Sequence, residues 1–306
     1  MRKKTIVSLF SGAGGLDYGL AAAGHEIIWA TDIDRDSCET HGRNIGGLVV
    51  RDDIKNINLD QIPASDVITG GFPCQGFSIA NKLRNTSDSR NELYKEMLRV
   101  VRGKNPKWFI AENVSGILSL GEGKVMEMIL SDFTNSGYRV QYQLVNMADF
   151  GVPQIRKRVI ILGTRSDLPE SSTLTHPIET HSKNPSLFHQ PWKSSGQAMK
   201  EFSFQNVAND IQSKYKMVER NFTGHRKTDP SKPAPTILAR GNGKGGVNAT
   251  PHPFEPRRMS VMESAYIQSF PTTYVFCGSM TSQYRQIGNA VPPLYGTALG
   301  QELLNI

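Results

Sequence analysis

The first part of the sequence, residues 1–164, alternates short apolar runs typical of strands with amphipathic runs typical of helices. The strand candidates, in chain order, are residues 5–10, 26–32, 48–50, 66–70, 107–112, 139–146 and 158–163. The clearest helix candidates between them are residues 15–23, 91–101 and 124–135. Because strands that alternate with helices form a mostly parallel sheet covered on both faces, we predict an α/β fold with a Rossmann-like, doubly wound sheet.

The last two strand candidates depart from this alternation. Only residues 147–155 separate them, and this connection is too short for a helical crossover. We therefore expect these two strands to pair antiparallel at an edge of the sheet.

The character of the sequence changes at about residue 165. Residues 165–256 are rich in Pro, Ser, Asn, Lys and Gly, show weak periodicity, and carry 12 Lys and Arg against 8 Asp and Glu. Regular patterning returns after them and continues to the end of the chain. We therefore predict a main domain at 1–164, a smaller loop-rich domain at 165–256, and a return segment at 257–306 that completes the main domain.

Composition argues against several classes of protein. With 38% apolar and 21% charged residues, the chain has the composition of a soluble globular protein. No apolar run reaches the roughly 18 residues of a membrane span, and none near the N-terminus fits a signal peptide, so we expect a cytoplasmic protein. Three cysteines without CxxC spacing argue against a disulfide framework and against zinc. A net charge of +7 and a pI of about 9.3 suit a polyanionic partner.

A glycine-rich turn, residues 10–15 with the sequence FSGAGG, follows the first strand candidate. Glycines there let a ligand approach the backbone at the start of a helix. Asp32 ends the second strand candidate, 20 residues after Gly12, where a carboxylate can bind ribose hydroxyls. Asp53, after the third strand candidate, could bind an adenine amino group. These features favour an adenosine-containing ligand over a simple tight turn. NAD is the rival ligand, although the third glycine of its fingerprint is missing.

Four side chains with reactive or charged groups lie beside other strand candidates. Cys74 lies in a Gly-flanked Pro-Cys turn after the fourth strand candidate, where open α/β sheets bind ligands. Glu112 ends the fifth, and a carboxylate there is costly to bury unless a positive group pairs with it. Arg156 and Arg158 lie two residues apart at the start of the last strand candidate, so they share one face, and they could form a fork for a base carbonyl or a phosphate. Taken singly, they also fit a buried thiol, an exposed strand-end carboxylate and a solvated basic edge.

Taken together, these segments resemble a known family over essentially the whole chain. The chain resembles the DNA (cytosine-5-)methyltransferases of the bacterial restriction–modification type. The motifs that carry the resemblance, in the family's order, are residues 10–15, Asp32, Asp53, residues 73–75, residues 112–114, Gln154-x-Arg156-x-Arg158, residues 258–270 and residues 286–292. One motif could arise by chance, but eight in order around a variable basic segment are highly specific.

The resemblance implies a reaction. The cofactor is expected to be S-adenosylmethionine, and the target cytosine is expected to flip out of the duplex. The Cys74 thiolate would attack C6 of the ring, while Glu112 would hold its N3 and amino edge. Arg158, together with Arg156, would hold the base carbonyl or the intermediate. C5 would then take the methyl group, and loss of the C5 proton would expel Cys74.

The resemblance also assigns binding residues. Phe10 is expected to stack on the adenine, with Asp32 on the ribose and Asp53 on the adenine amino group. The predicted cofactor-binding residues are Phe10, Ser11, Gly12, Ala13, Gly15, Leu16, Asp32, Ile33, Asp53, Ile54, Pro73, Leu93, Asn289 and Ala290. The predicted DNA-binding residues are Gln75, Ser78, Lys82, Arg84, Arg90, Thr236 and Arg240. Residues 76–92 fit the family's mobile catalytic loop, with a passive surface loop as the alternative, and residues 165–256 fit its target-recognition domain.

Three alternatives stay open at this point. An RNA-directed enzyme would resemble the branch that methylates tRNA, but that branch's Cys-Phe-Thr motif is absent from this sequence. An NAD-dependent oxidoreductase leaves Cys74 and Glu112 unexplained. A catalytically inactive DNA-binding relative is disfavoured because Cys74, Glu112 and Arg158 are all present. The expected partner is double-stranded DNA, with a cognate restriction endonuclease as a candidate second partner and a monomer as the default state.

Overall fold

The computed structural model describes residues 2–73, 93–203, 227–239 and 249–306. Its framework is a seven-stranded sheet of β1 (Thr5–Leu9), β2 (Glu26–Asp32), β3 (Leu48–Arg51), β4 (Val67–Gly70), β5 (Trp108–Val114), β6 (Tyr138–Asn146) and β7 (Lys157–Arg165). The strand order is β3-β2-β1-β4-β5-β7-β6. β7 runs antiparallel to both of its neighbours, and the other pairings are parallel. The predicted mostly parallel sheet is confirmed, and so is the antiparallel pairing of the last two strands.

Helices cover both faces of this sheet. The α-helices in the described ranges are α1 (Gly15–Ala22), α2 (Arg35–Asn44), α3 (Leu93–Lys104), α4 (Lys124–Thr134), α5 (Ser195–Glu201), α6 (Val261–Ile267), α7 (Met280–Asn289) and α8 (Pro293–Leu304). α1 and α8 pack on one face, and α3 and α4 pack on the other. Among the described residues, no helix is both long and apolar enough to cross a membrane.

The central strands are buried on both faces, which explains their continuous apolar runs. In β5, Trp108 and Ile110 face α1 and α8, whereas Phe109 and Ala111 face α3 and α4. Successive side chains of a strand point to opposite faces, so a single run of apolar residues supplies both cores.

A third apolar cluster connects the return segment to the rest of the chain. It joins Phe270 and Tyr274 to Ala13, in the turn before α1, and to Ala234 and Ile237. Apart from 3-10 turns, the regular elements in the described residues of 165–256 are α5 and the short strands β8 (His181–Ser182) and β9 (Gln190–Pro191). The division into three parts stays a prediction.

α1 and α8 pack backbone against backbone through glycines. A Cβ atom on Gly19 would lie 2.2 Å from Pro293 O, and one on Gly296 would lie 2.6 Å from Leu16 O. Both distances are far shorter than van der Waals contact. Any larger residue at either position must therefore push the two helices apart.

We predict that Gly296→Ala lowers the free energy of unfolding by about 1–3 kcal/mol, because overpacking outweighs the gain of about 1 kcal/mol in helix propensity. Urea unfolding followed by circular dichroism measures the change. Gly116→Ala is the matched control, because a Cβ there would meet no atom within 4 Å. Equal stability of Gly296→Ala and the wild type would contradict this packing.

Candidate active site

A cavity of about 690 Å³ opens at the carboxyl ends of the parallel strands. Its lining comes from the ends of β1, β2, β4 and β5 and the turns that follow them, from the turn after β3, from the first residues of α1, α2, α3 and β7, and from the end of α7 and the residues after it. β1 and β4 lie side by side where the strand order reverses, which is where open α/β sheets bind ligands. All the residues assigned to the cofactor from the sequence line this cavity, as do Glu112 and Arg158. Their roles in binding stay predictions.

The glycine-rich turn forms one wall of the cavity. Phe10 and Gly12 both have left-handed backbone conformations, with φ angles of 52° and 55°. Such a conformation is strained for Phe10, and strained residues concentrate at functional sites. Gly14, with a φ of 81°, is the N-cap of α1, and its N–H donates to Ser11 O over 3.0 Å. The turn thereby brings the N-terminus of α1 to the cavity.

The Asp32 carboxylate is held by this turn. Its Oδ2 accepts a hydrogen bond from Gly12 N at 2.8 Å, and its Oδ1 accepts one from Asp34 N at 2.9 Å. Burial raises the pKa of the Asp32 carboxyl, and these backbone hydrogen bonds only partly oppose the shift. A carboxylate has about four acceptor positions, so Asp32 keeps capacity for the hydroxyls of a ligand.

The cavity wall carries the groups that an adenosine-containing cofactor needs. Phe10 and Ile33 supply apolar surface, while Asp32 and Asp53 supply carboxylates. Ser11 also lines this region, and its Oγ is buried without a hydrogen-bond partner in the described part of the chain. A buried hydroxyl without a partner costs about 1–3 kcal/mol, which a polar ligand atom would offset. The residues therefore fit such a cofactor.

Glu112 and Arg158 form an ion pair at the same cavity. Arg158 Nε lies 2.8 Å from Glu112 Oε1, and only 12% of each side chain is exposed. The antiparallel register of β5 and β7 brings them together, because it places Glu112 opposite Ile160, two residues from Arg158. The arginine reduces the cost of burying a carboxylate at the end of β5. A Cβ on Gly71 would lie 3.2 Å from Glu112 Oε2, so the glycine leaves room beside this carboxylate.

Asn113 joins this pair to the segment that precedes Cys74. Its buried side chain donates from Nδ2 to Phe72 O over 3.0 Å. Pro73, the last described residue of this segment, lines the cavity. The backbone that leads to Cys74 is therefore held beside Glu112. The predicted site residues that lie outside the described ranges are Cys74, Gln75, Ser78, Lys82, Arg84, Arg90 and Arg240.

Arg156 does not line the cavity. Its guanidinium is fully buried and donates to the main-chain oxygens of Ile237, at 3.3 Å, and Gly288, at 2.8 Å. Burial lowers the pKa of this guanidinium well below its ordinary value. The two arginines of the predicted fork are thus separated, with Arg158 at the cavity and Arg156 bound to remote backbone. This placement does not support a direct contact between Arg156 and a base.

Gln154 and Thr236 strengthen the same junction. Gln154 Nε2 donates to Gln268 Oε1 over 2.6 Å, and its Oε1 accepts from Ile237 N at 3.1 Å. The hydroxyl of Thr236 donates to Ile155 O over 2.6 Å. This hydroxyl is therefore already used inside the protein, and a contact of Thr236 with DNA stays a prediction.

The return segment contributes Asn289 and Ala290 to the cavity wall, together with a residue that the sequence analysis missed. Arg285 also lines the cavity, and its Nη2 donates to Asp34 Oδ2 over 2.6 Å. Arg285 lies four residues before Asn289 on α7, and residues four apart share one face of a helix. Helical periodicity could therefore have identified it.

Asp17 is a second lining residue that the sequence analysis did not assign. Its Oδ2 lies 2.9 Å from His41 Nε2, and both side chains are buried. The sequence did hold a signal, because Asp17 stands where the dinucleotide fingerprint has its third glycine. The space that a glycine would leave is here filled by a buried polar pair beneath the turn.

The raised pKa of Asp32 predicts how stability changes with pH. A carboxyl whose pKa is raised on folding stabilises the folded state while it is protonated, and this contribution is lost as the pH rises through the folded-state pKa. The variant Asp32→Asn cannot ionise at this position, so it does not show this pH-dependent loss of stability. The hydrogen bond that the substitution removes lowers stability equally at every pH. We expect the melting temperature of Asp32→Asn, relative to the wild type, to rise between about pH 4 and about pH 7.

Thermal unfolding of both proteins across this range measures the difference. Asp229→Asn is the control of opposite sign, because hydrogen bonds from Ser231 hold the pKa of Asp229 at about 2. The stabilising contribution of Asp229 is lost as the pH falls. The melting temperature of Asp229→Asn, relative to the wild type, therefore does not rise with pH. If the melting-temperature difference between Asp32→Asn and the wild type stays constant or falls as the pH rises, the pKa of Asp32 is not raised on folding.

Comparison with known proteins agrees with this geometry. The chain matches the family described as C-5 cytosine-specific DNA methylase over residues 4–305. The type II methyltransferase M.NgoFVII of Neisseria gonorrhoeae is 39% identical, with 99% of this chain and 87% of the relative covered. The type II methyltransferase M1.HphI of Haemophilus parahaemolyticus is 31% identical, with the same shares covered.

Solved structures show the same fold. A prophage-encoded Escherichia coli protein described as a DNA modification methyltransferase has a TM-score of 0.69 at 24% identity, with 98% of each chain covered. DNMT2 of Spodoptera frugiperda has a TM-score of 0.73 at 19% identity, with 98% of this chain and 99% of that chain covered. The Rossmann-like methyltransferase fold and the resemblance inferred from the motifs are thus confirmed. The chain belongs to the C-5 cytosine-specific DNA methylase family and is a DNA (cytosine-5-)methyltransferase of the restriction–modification type.

Proposed function

We propose that this enzyme moves a methyl group from S-adenosylmethionine to C5 of a cytosine flipped out of a specific duplex sequence, through a covalent bond between Cys74 and C6. The observation that carries the proposal is that three groups line one cavity. They are the turn that holds Asp32, the ion pair of Glu112 and Arg158, and Pro73, which directly precedes Cys74. A cofactor site and a base-holding pair in one cavity suit group transfer between two bound molecules.

The cofactor half of the cavity has the charge and shape for this role. When bound, S-adenosylmethionine supplies an electrophilic methyl group on a positively charged sulfur. The described lining carries six carboxylates and two arginines, a balance that favours a cationic ligand. Asp32 accepts hydrogen bonds from the ribose, Phe10 packs on the adenine, and Asp53 accepts from the adenine amino group. The hydroxyl of Ser11 gains the partner that it lacks in the protein alone.

The base half of the cavity provides the groups that act on the ring. Attack of the Cys74 thiolate on C6 makes the ring electron-rich, and C5 becomes the nucleophile. Glu112 holds the N3 and amino edge where charge develops, and Arg158 holds both the carboxylate and the base carbonyl in place. After methyl transfer, the C5 proton leaves to solvent, the C5–C6 double bond re-forms, and the thiolate departs. Arg156 positions the surrounding backbone and does not touch the base.

The substrate proposal rests on the smaller domain and on the relatives. We assign residues 165–256 to target recognition, because their basic excess suits DNA phosphates. The relatives named above are type II methyltransferases. A cognate endonuclease that cuts the same site is the corresponding partner, and one subunit suffices for the chemistry. The DNMT2 likeness shows the fold alone, so methylation of RNA is the competing outcome in the assay.

We expect the purified enzyme to form 5-methylcytosine in unmethylated duplex genomic DNA when S-adenosylmethionine is supplied. Digestion of the DNA and mass spectrometry of the nucleosides measure the product, and bisulfite sequencing of the same DNA maps the site. A parallel incubation with tRNA is the control. Product on RNA but not on DNA would reject the proposed substrate.

We expect Cys74→Ser to lose turnover by at least about a thousandfold while its affinity for S-adenosylmethionine stays within about twofold, because the hydroxyl is a far weaker nucleophile than a thiolate. Methyl transfer and calorimetry provide the two measurements. Cys277→Ser is the matched control, because Cys277 is buried away from the cavity lining. Wild-type turnover in Cys74→Ser would rule out the covalent mechanism.

A further inference from the structure

A turn between β8 and β9 exposes two large apolar side chains. Leu187 is 99% exposed and Phe188 is 87% exposed. Ser186 N donates to His189 O over 3.1 Å, and His189 N donates to Ser186 O over 3.3 Å. Ser186 Oγ also accepts a hydrogen bond from Phe188 N at 3.2 Å. Well-placed hydrogen bonds therefore hold an apolar pair out in solvent, an arrangement that marks an interaction site.

The loop that carries this apolar tip, Leu187 and Phe188, is anchored at the end of the sheet where the cavity opens. The chain just before β8 and just after β9 is bound to Asp149, which receives hydrogen bonds from Thr180 N at 3.0 Å and Trp192 Nε1 at 2.7 Å. Asp149 lies shortly after the carboxyl end of β6. Because β6 and β5 run in the same direction on either side of β7, their carboxyl ends lie at the same edge of the sheet.

Basic residues flank the apolar tip in the sequence, and one of them, Lys193, is paired with Glu201. Residues 181–193 contain two lysines and two histidines and no Asp or Glu. Cations beside an apolar tip are complementary to nucleic acid, because the cations meet phosphates while apolar groups meet sugars and base edges.

We propose that Leu187 and Phe188 contact the duplex DNA beside the target cytosine, packing against sugars and base edges. The inference rests on the proposed function and extends its DNA interface to residues outside the family motifs. The hydrogen-bonded turn presents both side chains already in place, so little conformational freedom is lost on binding. The contact is apolar, so it releases no counterions and its share of the affinity does not depend on salt.

Salt dependence separates this contact from a phosphate contact. The Kd of the full chain for fluorescent unmethylated duplex genomic fragments is measured by anisotropy at several salt concentrations. For Phe188→Ser we expect a Kd about tenfold higher at every salt concentration, with the wild-type slope of log Kd against log salt. For Lys183→Gln we expect a smaller slope. Ile178→Ser is the matched control, because Ile178 is 84% exposed but lies outside the turn, and its Kd should equal that of the wild type.

Two outcomes would overturn the inference. One is a wild-type Kd for the double variant Leu187→Ser, Phe188→Ser, and the other is a dimer in sedimentation experiments that these substitutions dissociate. Unchanged affinity of the variants for S-adenosylmethionine confirms that they are folded. The binding assay needs no turnover, so it tests the apolar tip even if the wild type makes no 5-methylcytosine. The absence of that product counts against the proposed function and not against the apolar tip.

Discussion

The buried guanidinium of Arg156 joins three parts of the chain that are far apart in the sequence. From the entry to β7 it donates to Ile237 O and Gly288 O, which lie 81 and 132 residues away. A charged group taken out of water is costly unless polar partners replace the solvent, so these segments cannot separate without a large penalty. The place of Asn289 at the cavity depends on this junction, because Asn289 directly follows Gly288.

The direction of β7 connects this junction to the chemistry. A parallel strand beside β5 would begin at the far end of the sheet, but β7 is antiparallel and begins at the end where the cavity opens. Arg158, near its start, therefore meets Glu112, near the end of β5, across the strand pair. The same strand entry thus holds the remote backbone through Arg156 and a carboxylate at the cavity through Arg158.

Much of the fold and of the site could be predicted from the sequence. The alternation of strands and helices predicts the sheet, and the carboxyl ends of parallel strands share one edge, which is where the structure places Asp32 and Glu112. The ion pair of Arg285 and Asp34 was not predicted, because it joins side chains 251 residues apart. The separation of Arg156 from Arg158 was missed for a similar reason, since its cause is the backbone of Ile237 and Gly288.

The sequence by itself determined the family, the mostly parallel sheet and the chemical identity of the groups at the strand ends. These are properties of local periodicity and of short motifs, which can be seen within a few residues. Only the tertiary structure decided which arginine faces the cavity, that Arg285 pairs with Asp34, and that Leu187 and Phe188 stay exposed. Those outcomes depend on the packing of distant segments against one another, which no local pattern encodes.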